Sequence, residues 1–173
     1  MAQWTVRLNR PADFPLNSSI TSRRVQYALG YLELGMLNEA SEELEAVAFD
    51  DRFRPDVLAA RIELGMTAKH WAVVVGLGQE LTARAPELER GWIGWAYALR
   101  ELGRVAEAKE VLLKAEPRHG AESATLHYNL ACYHCLLGER EVARMRLTRA
   151  CGMHPEFKES ALEDPDLKAL WEI

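Results

Sequence analysis

The chain has 173 residues and a net charge of −5, with 49% apolar and 27% charged residues. This balance is typical of an ordinary globular domain or one short repeat array. The acidic charge argues against a nucleic-acid partner, because proteins that bind nucleic acids usually carry a basic face. No apolar run reaches the roughly 18 residues that a membrane-spanning helix requires, so we expect no membrane insertion.

The beginning of the chain has no basic stretch followed by an apolar run, so the sequence predicts no signal peptide. The chain also has three cysteines, an odd number. Together these features favour reduced thiols in a cytoplasm over disulfides.

Residues 1–19 form the first predicted segment, which is extended rather than helical because Pro11 and Pro15 interrupt it. Within it, apolar and polar residues alternate with the period of two that is typical of a half-buried strand. The apolar members of this alternation are Trp4, Val6 and Leu8.

A lone strand leaves an unpaired backbone edge, and two arrangements would satisfy it. The segment can fold back along its own helices, with Phe14 and Leu16 as anchors. Alternatively, residues 3–9 can pair with the same residues of a second chain in a homodimer. The two prolines favour folding back, so we expect a monomer.

Residues 20–155 repeat one spacing, in which small or apolar residues follow a glycine at offsets of five, nine and twelve. The three copies are Gly35, Ala40, Leu44 and Val47; Gly103, Ala108, Leu112 and Ala115; and Gly138, Ala143, Leu147 and Ala150. Gly35 and Gly103 lie two repeats apart, and a degenerate copy begins halfway between them at Lys69. The resulting period of about 34 residues predicts stacked helical hairpins.

The hairpins are predicted at about residues 20–48, 55–85, 88–117 and 122–153. The tail, residues 156–173, is predicted to form one capping helix, because an uncapped repeat exposes its apolar face. Its apolar residues at helical spacing are Phe157, Leu162, Leu167, Leu170 and Trp171.

The third and fourth copies resemble the tetratricopeptide repeat (TPR) family. The matching residues are Trp92, Trp95, Ala96, Gly103, Ala108 and Ala115, then Leu130, Ala131, Gly138, Ala143, Ala150 and Pro155. The resemblance covers roughly residues 21–155. The stretch from Tyr128 to Tyr133, followed by Asp164 to Leu167, looks like the closing repeat of bacterial TPR proteins.

This resemblance implies an all-α fold, a right-handed superhelical array of about four helical hairpins with a C-terminal capping helix. It also implies a scaffold in a bacterial cytoplasm that binds a protein or peptide in its concave groove, rather than an enzyme. The alternatives are a small TPR secretion chaperone and a self-assembling structural subunit.

The resemblance also places residues in the groove. In the C-terminal half these are Arg90, Ile93, Tyr97, Arg100, Thr125, Tyr128, Asn129 and Cys132; in the N-terminal half they are Ser22, Gln26, Leu29, Asp56, Ala59 and Glu63. We expect the ligand in the C-terminal half, because arginine and tyrosine are favoured at binding hot spots. The alternative is that Tyr97 and Tyr128 pack against neighbouring helices. Only Asn129 matches the clamp of Hsp90- and Hsp70-type co-chaperones, which disfavours that role.

One set of residues has the spacing of a zinc site, Cys132 and Cys135 followed by Cys151 and His154. The two pairs are predicted near opposite ends of antiparallel helices, about 10 Å apart along the axis, so we expect no metal there. A couple of Cys135 with His134 or His127 has no supporting motif, and the histidines are predicted on the surface or in the groove. We therefore predict no catalytic residue and no cofactor.

Overall fold

The computed structural model describes residues 19–172, which form helices joined by short turns, without a strand in that range. The α-helices are α1 Ile20–Glu33, α2 Leu37–Glu45, α3 Pro55–Thr67, α4 Trp71–Arg84, α5 Glu89–Glu101, α6 Val105–His119, α7 Ala124–Leu136, α8 Arg140–Met153 and α9 Phe157–Glu163. Two 3₁₀ segments are Phe49–Asp51 and Pro165–Leu170. The predicted all-α organisation in helical hairpins is confirmed.

The described chain forms two compact units that divide within α5, between Gly94 and Trp95. In the N-terminal unit, Val25 and Ala28 of α1 pack in one core with Leu44 of α2 and with Val57 and Ala60 of α3. In the C-terminal unit, α7 is the central helix, and its residues are buried almost without interruption from Ala124 to Cys135. A helix that is apolar all round is expected at the centre of a core.

Each hairpin turns at a residue with a positive φ angle. These residues are Gly35 (74°), Lys69 (58°), Gly103 (76°) and Gly138 (80°). The next residue then donates its backbone N–H to a carbonyl five positions earlier, as from Met36 to Tyr31 at 2.9 Å. This is the hydrogen-bond pattern of a Schellman motif, in which glycine avoids the steric cost of a side chain. The repeated glycine spacing therefore predicts the turns, including the degenerate one at Lys69.

Local capping explains where several helices begin. The hydroxyl of Ser19 accepts a hydrogen bond from the backbone N–H of Ser22 at 3.2 Å and caps α1. Ser123 caps α7 in the same way, through the N–H of Leu126 at 2.9 Å. Pro55 occupies the first position of α3, where its missing N–H breaks no helical hydrogen bond.

The tail differs from the single predicted helix, because it forms α9 and then the 3₁₀ segment. Pro165 has no N–H to continue α9, and Asp164 has an extended backbone that separates the two pieces. The Asp164 carboxylate then caps the 3₁₀ segment by accepting from the N–H of Asp166 at 2.9 Å. The tail still buries apolar residues, namely Ala161, Leu167 and Leu170.

Residues 1–18 lie outside the described residues. The predicted extended segment, except for Ser19, the predicted folding back, and the alternative of a homodimer through residues 3–9 therefore stay untested. Among the described helices, none is long and apolar enough to cross a membrane.

Candidate functional site

The residues predicted to line the groove fall in both units. In the N-terminal unit, Ile93 is buried, and Arg90 forms an ion pair with Glu63 of α3. Burial lowers the pKa of Arg90. Arg90 thus links α5 to α3, and neither residue stands free on a surface.

In the C-terminal unit, the other predicted residues lie where the tail docks. We call the surface formed by Tyr97 and Arg100 of α5 with Tyr128 and Cys132 of α7 the tail-binding face. Tyr128 is only 5% exposed and Cys132 only 4%. This face is covered by the chain's own residues.

An arginine–aspartate pair joins the tail to α5. Arg100 donates from Nε to one carboxylate oxygen of Asp166 at 2.7 Å and from Nη2 to the other. Its Nη1 donates to Glu101 at 2.6 Å. The hydrogen bond with Asp166 raises the pKa of Arg100, so the guanidinium stays charged. Bidentate pairing of this kind fixes the orientation of both groups.

A tyrosine joins the tail to α7. The hydroxyl of Tyr128 donates to Asp164 at 2.9 Å, and its ring stacks on Phe157 with centroids 4.7 Å apart. Burial raises the pKa of Tyr128, so the phenol keeps the proton that it donates. The Cys132 thiol also faces Asp164, with Sγ 3.8 Å from the carboxylate.

The tail takes a place that the repeat geometry assigns to a following hairpin. Glu63, Tyr97 and Cys132 occupy equivalent positions in three successive repeats. Glu63 pairs with Arg90 of the next hairpin, while Cys132 faces Asp164 of the tail. The residues that the family resemblance assigns to the groove therefore act here as residues that contact the next element of the chain.

The three cysteine thiols are all held in the protonated form. Burial raises the pKa of Cys132 well above its usual range, and the carboxylates of Asp164 and Asp166 add to this effect. Burial also raises the pKa values of Cys135 and Cys151. Since the thiolate is the reactive form, this environment makes the thiols weaker nucleophiles.

Among the described residues, one cluster has metal-like spacing: the ligand atoms of Cys132, Asp164 and Asp166 lie within 4.8 Å of one another. Its members are already engaged, because Arg100 neutralises Asp166 and Tyr128 donates to Asp164. This is a different set from the cysteine–histidine spacing in the sequence, for which the absence of zinc stays a prediction.

Two of the histidines are buried, contrary to the expectation of surface or groove positions. His127 donates from Nε2 to the carbonyl of Gly120 at 2.8 Å, and its Nδ1 accepts from Nη1 of Arg146 at 3.2 Å. Arg146 in turn pairs with Glu116 of α6. Burial lowers the pKa of His127, which favours the neutral ring. His134 is also buried and pairs with Glu139.

Asn129 is buried beside the tail-binding face on α7. Its side-chain nitrogen has no hydrogen-bond partner among the described residues. Leaving such a buried donor without an acceptor costs about 1–3 kcal/mol.

Sequence reasoning missed the partners Phe157, Asp164 and Asp166. The Asp164-Pro165-Asp166 turn caps the 3₁₀ segment, and its two carboxylates also bind α5 and α7. The available signal was the presence of two aspartates in the tail together with an arginine and a tyrosine on the predicted groove.

Solved structures share this fold. TTC0263, a thermophilic TPR protein of Thermus thermophilus, is 21% identical with a TM-score of 0.70, over 87% of this chain and 81% of that chain. A MamA double mutant (RS-1 ArsTM) is 14% identical with a TM-score of 0.69, over 83% and 78%. MamA MSR-1 is 17% identical with a TM-score of 0.66, over 83% and 82%.

No protein-family model matches the sequence, and no curated protein matches it. The likeness to solved structures concerns the fold. It agrees with the TPR resemblance that the residues of the third and fourth copies carry. The chain has the helical-hairpin fold of TPR proteins.

Proposed function

We propose that this chain is a non-catalytic protein-binding scaffold and that the tail-binding face takes an acidic, leucine-containing peptide segment. One observation carries the proposal: the face already holds such a segment of its own chain. Residues 164–170 dock through Arg100 and Tyr128 and bury Leu167 and Leu170.

The contacts define the chemistry of the ligand. Arg100 selects a carboxylate by bidentate pairing, and Tyr128 donates to a second carboxylate two residues earlier. Leu167 directly follows Asp166, the carboxylate that Arg100 binds, and its side chain is fully buried. A partner with an Asp-x-Asp-Leu sequence would make the same contacts after displacing the tail.

The protonated thiols support a non-catalytic role. All three cysteines have raised pKa values. The ring of His127 is held by Gly120 and Arg146, so it is not positioned to activate a nucleophile.

A peptide-binding measurement tests this proposal. The probe is a fluorescent peptide of residues 160–172, titrated into the full chain and into a Leu167→Ala variant whose tail is weakened. Because a free face is a precondition for binding, we expect the variant to bind roughly tenfold more tightly than the parent. Adding Arg100→Ala should remove this binding, whereas Arg104→Ala, at a neighbouring exposed arginine, should leave it unchanged.

A peptide in which both aspartates are replaced by asparagine is the matched probe control. Equal affinity for the two peptides, or binding that survives Arg100→Ala, would contradict the proposal. Thermal melting checks that each variant is folded. If Leu167→Ala is unfolded, Asp166→Ala weakens the same tail contact without removing a buried leucine.

A further inference from the structure

The outer face of α1 exposes apolar side chains. Ile20, Tyr27 and Leu34 are 67%, 58% and 73% exposed. They recur at seven-residue intervals, so they lie on one side of the helix. A cavity of about 480 Å³ opens on this side, lined by Gln26, Tyr27, Gly30, Tyr31, Glu33 and Leu34.

The repeat register identifies what this face does in the other hairpins. Val57 and Ala60 of α3 lie one repeat period after Arg23 and Gln26 of α1, and both pack in the core of the first hairpin. The helix face at these offsets is therefore the one that stacks on the preceding hairpin. We call the equivalent surface of α1, formed by Arg23, Gln26, Tyr27 and Gly30, the stacking face of α1.

The next repeat shows the same contact more closely. Gly91 and Gly94 of α5 occupy the equivalent positions two repeat periods after Arg23 and Gln26. A Cβ atom at Gly94 would lie 2.7 Å from the Ile62 side chain, and one at Gly91 would lie 3.1 Å from Leu81. Both neighbours belong to the preceding hairpin. In α1, no described residue takes this place.

We propose that residues 4–16 of the same chain dock on the stacking face of α1 and serve as its N-terminal cap. Residue 16 lies three positions before Ser19, which caps α1, so the segment is tethered to the N-terminal end of that helix. Thirteen extended residues span up to about 43 Å, whereas the 14 residues of α1 span about 21 Å. The segment is therefore long enough to turn back and cover the whole face.

The chemistry of the segment fits the surface. Its alternating apolar residues, Trp4, Val6 and Leu8, supply one apolar edge for the cavity. Arg7 and Arg10 of the segment carry positive charge, and the cavity wall includes the acidic Glu33. Pro11 and Pro15 favour an extended run along a helix, because they lack the N–H groups that a strand pair requires.

Docking within one chain also has a concentration advantage. A segment tethered directly to α1 has an effective concentration in the millimolar range, which exceeds that of a second copy in dilute solution. This favours the intramolecular arrangement over a dimer through the same residues.

Photochemical crosslinking of the full chain tests the proposal. The photoreactive residue benzoylphenylalanine replaces Leu8, and crosslinked peptides are identified by mass spectrometry after mixing unlabelled chains with ¹⁵N-labelled chains. We expect crosslinks from position 8 to residues 23–34 within chains of one isotope. Asn9→benzoylphenylalanine, on the opposite side of an extended segment, should give several-fold fewer.

Two glycine variants provide a matched pair. A Cβ atom at Gly30 or at Gly76 of α4 would meet no atom within 4 Å, so both positions have open space where a longer side chain begins. Gly30→Arg fills the cavity and should reduce the crosslinks to α1 several-fold, whereas Gly76→Arg should not. Crosslinks of mixed isotope would overturn the proposal in favour of a second copy. Crosslinks away from α1, or a yield unaffected by Gly30→Arg, would also overturn it.

Discussion

The two terminal hairpins of this chain meet the same physical problem with different outcomes. In a repeat array each hairpin covers its neighbours, so the first and the last are left with an uncovered face. The last hairpin, α7–α8, is covered by the tail, which buries Leu167 and Leu170 and pairs both of its aspartates. On the first hairpin, the described residues leave Tyr27 of α1 and Leu34, which follows α1, largely exposed.

The difference teaches how to interpret residue positions in a repeat. Positions that line a groove in the middle of a long array face the closing segment at its end. Tyr128 and Cys132 contact the tail in this way, whereas Glu63, at the position equivalent to Cys132 in an earlier hairpin, pairs with Arg90 of the next hairpin. The position of a residue in the repeat therefore determines which way its side chain faces, and the element beside it determines what the side chain contacts.

The largest difference in stability between the two ends should come from replacing one leucine at each end with alanine. Leu167→Ala in the tail should lower the free energy of unfolding by about 2–4 kcal/mol, because the side chain is fully buried. Leu34→Ala just after α1 should change it by less than about 0.5 kcal/mol, because that side chain is mostly exposed. Urea denaturation of both variants measures the difference. Similar losses at the two positions would contradict the described contrast.

Overpacking tests the interior of the third and fourth hairpins, where the helices of each pair approach closely. Ala108→Leu in α6 and Ala143→Leu in α8 should each destabilise the fold by about 1–3 kcal/mol, since neither alanine has exposed surface. Ala106→Leu, at an exposed position of α6, is the control. Thermal melting that leaves either buried variant as stable as the parent would refute the assigned register.

The pH dependence should differ between the units, because His127 is buried in the C-terminal unit while His70 of the N-terminal unit is exposed. The native pKa of His127 is lowered by burial, and its ring faces Arg146, Arg149 and Glu116. The unfolded chain takes up the proton near pH 6.5, before the native state does. Stability should therefore be present above about pH 6.5 and fall as the pH drops towards the native pKa.

Urea denaturation at pH 7.5, 6.5 and 5.5 measures this effect. His127→Gln should remove part of the acid-side loss, whereas His70→Gln should not. A parent and a His127→Gln variant with parallel pH profiles would show that this histidine does not titrate on unfolding.

The smallest effect concerns the turns. Lys69 adopts a positive φ, which is unfavourable for a residue with a Cβ atom. Lys69→Gly should therefore stabilise the chain by about 0.5–1 kcal/mol. The reciprocal change Gly103→Lys should destabilise it by a similar amount. Chemical denaturation of the two variants should give changes of opposite sign, and changes of the same sign would contradict the shared turn geometry.

Much of the fold could be predicted because the signals are local. Glycine at a fixed offset determines the turn, and small residues at Ala108 and Ala143 let helices approach, so spacing alone predicts four hairpins. The tail was harder, because Pro165 and Asp164 split it in a way that helical periodicity does not record. The binding partners of Arg100 and Tyr128 lie 66 and 36 residues away, and no local pattern indicates such contacts.

The central claim is that the chain's own tail closes the tail-binding face. Site-resolved alkylation of the cysteines by iodoacetamide tests it directly, because Cys132 lies under the tail while Cys151 is half-buried on α8. We predict that in the parent Cys132 reacts much more slowly than Cys151, and that Asp166→Ala accelerates Cys132 without changing Cys151. Equal rates in the parent, or a Cys132 rate unaffected by Asp166→Ala, would contradict the claim.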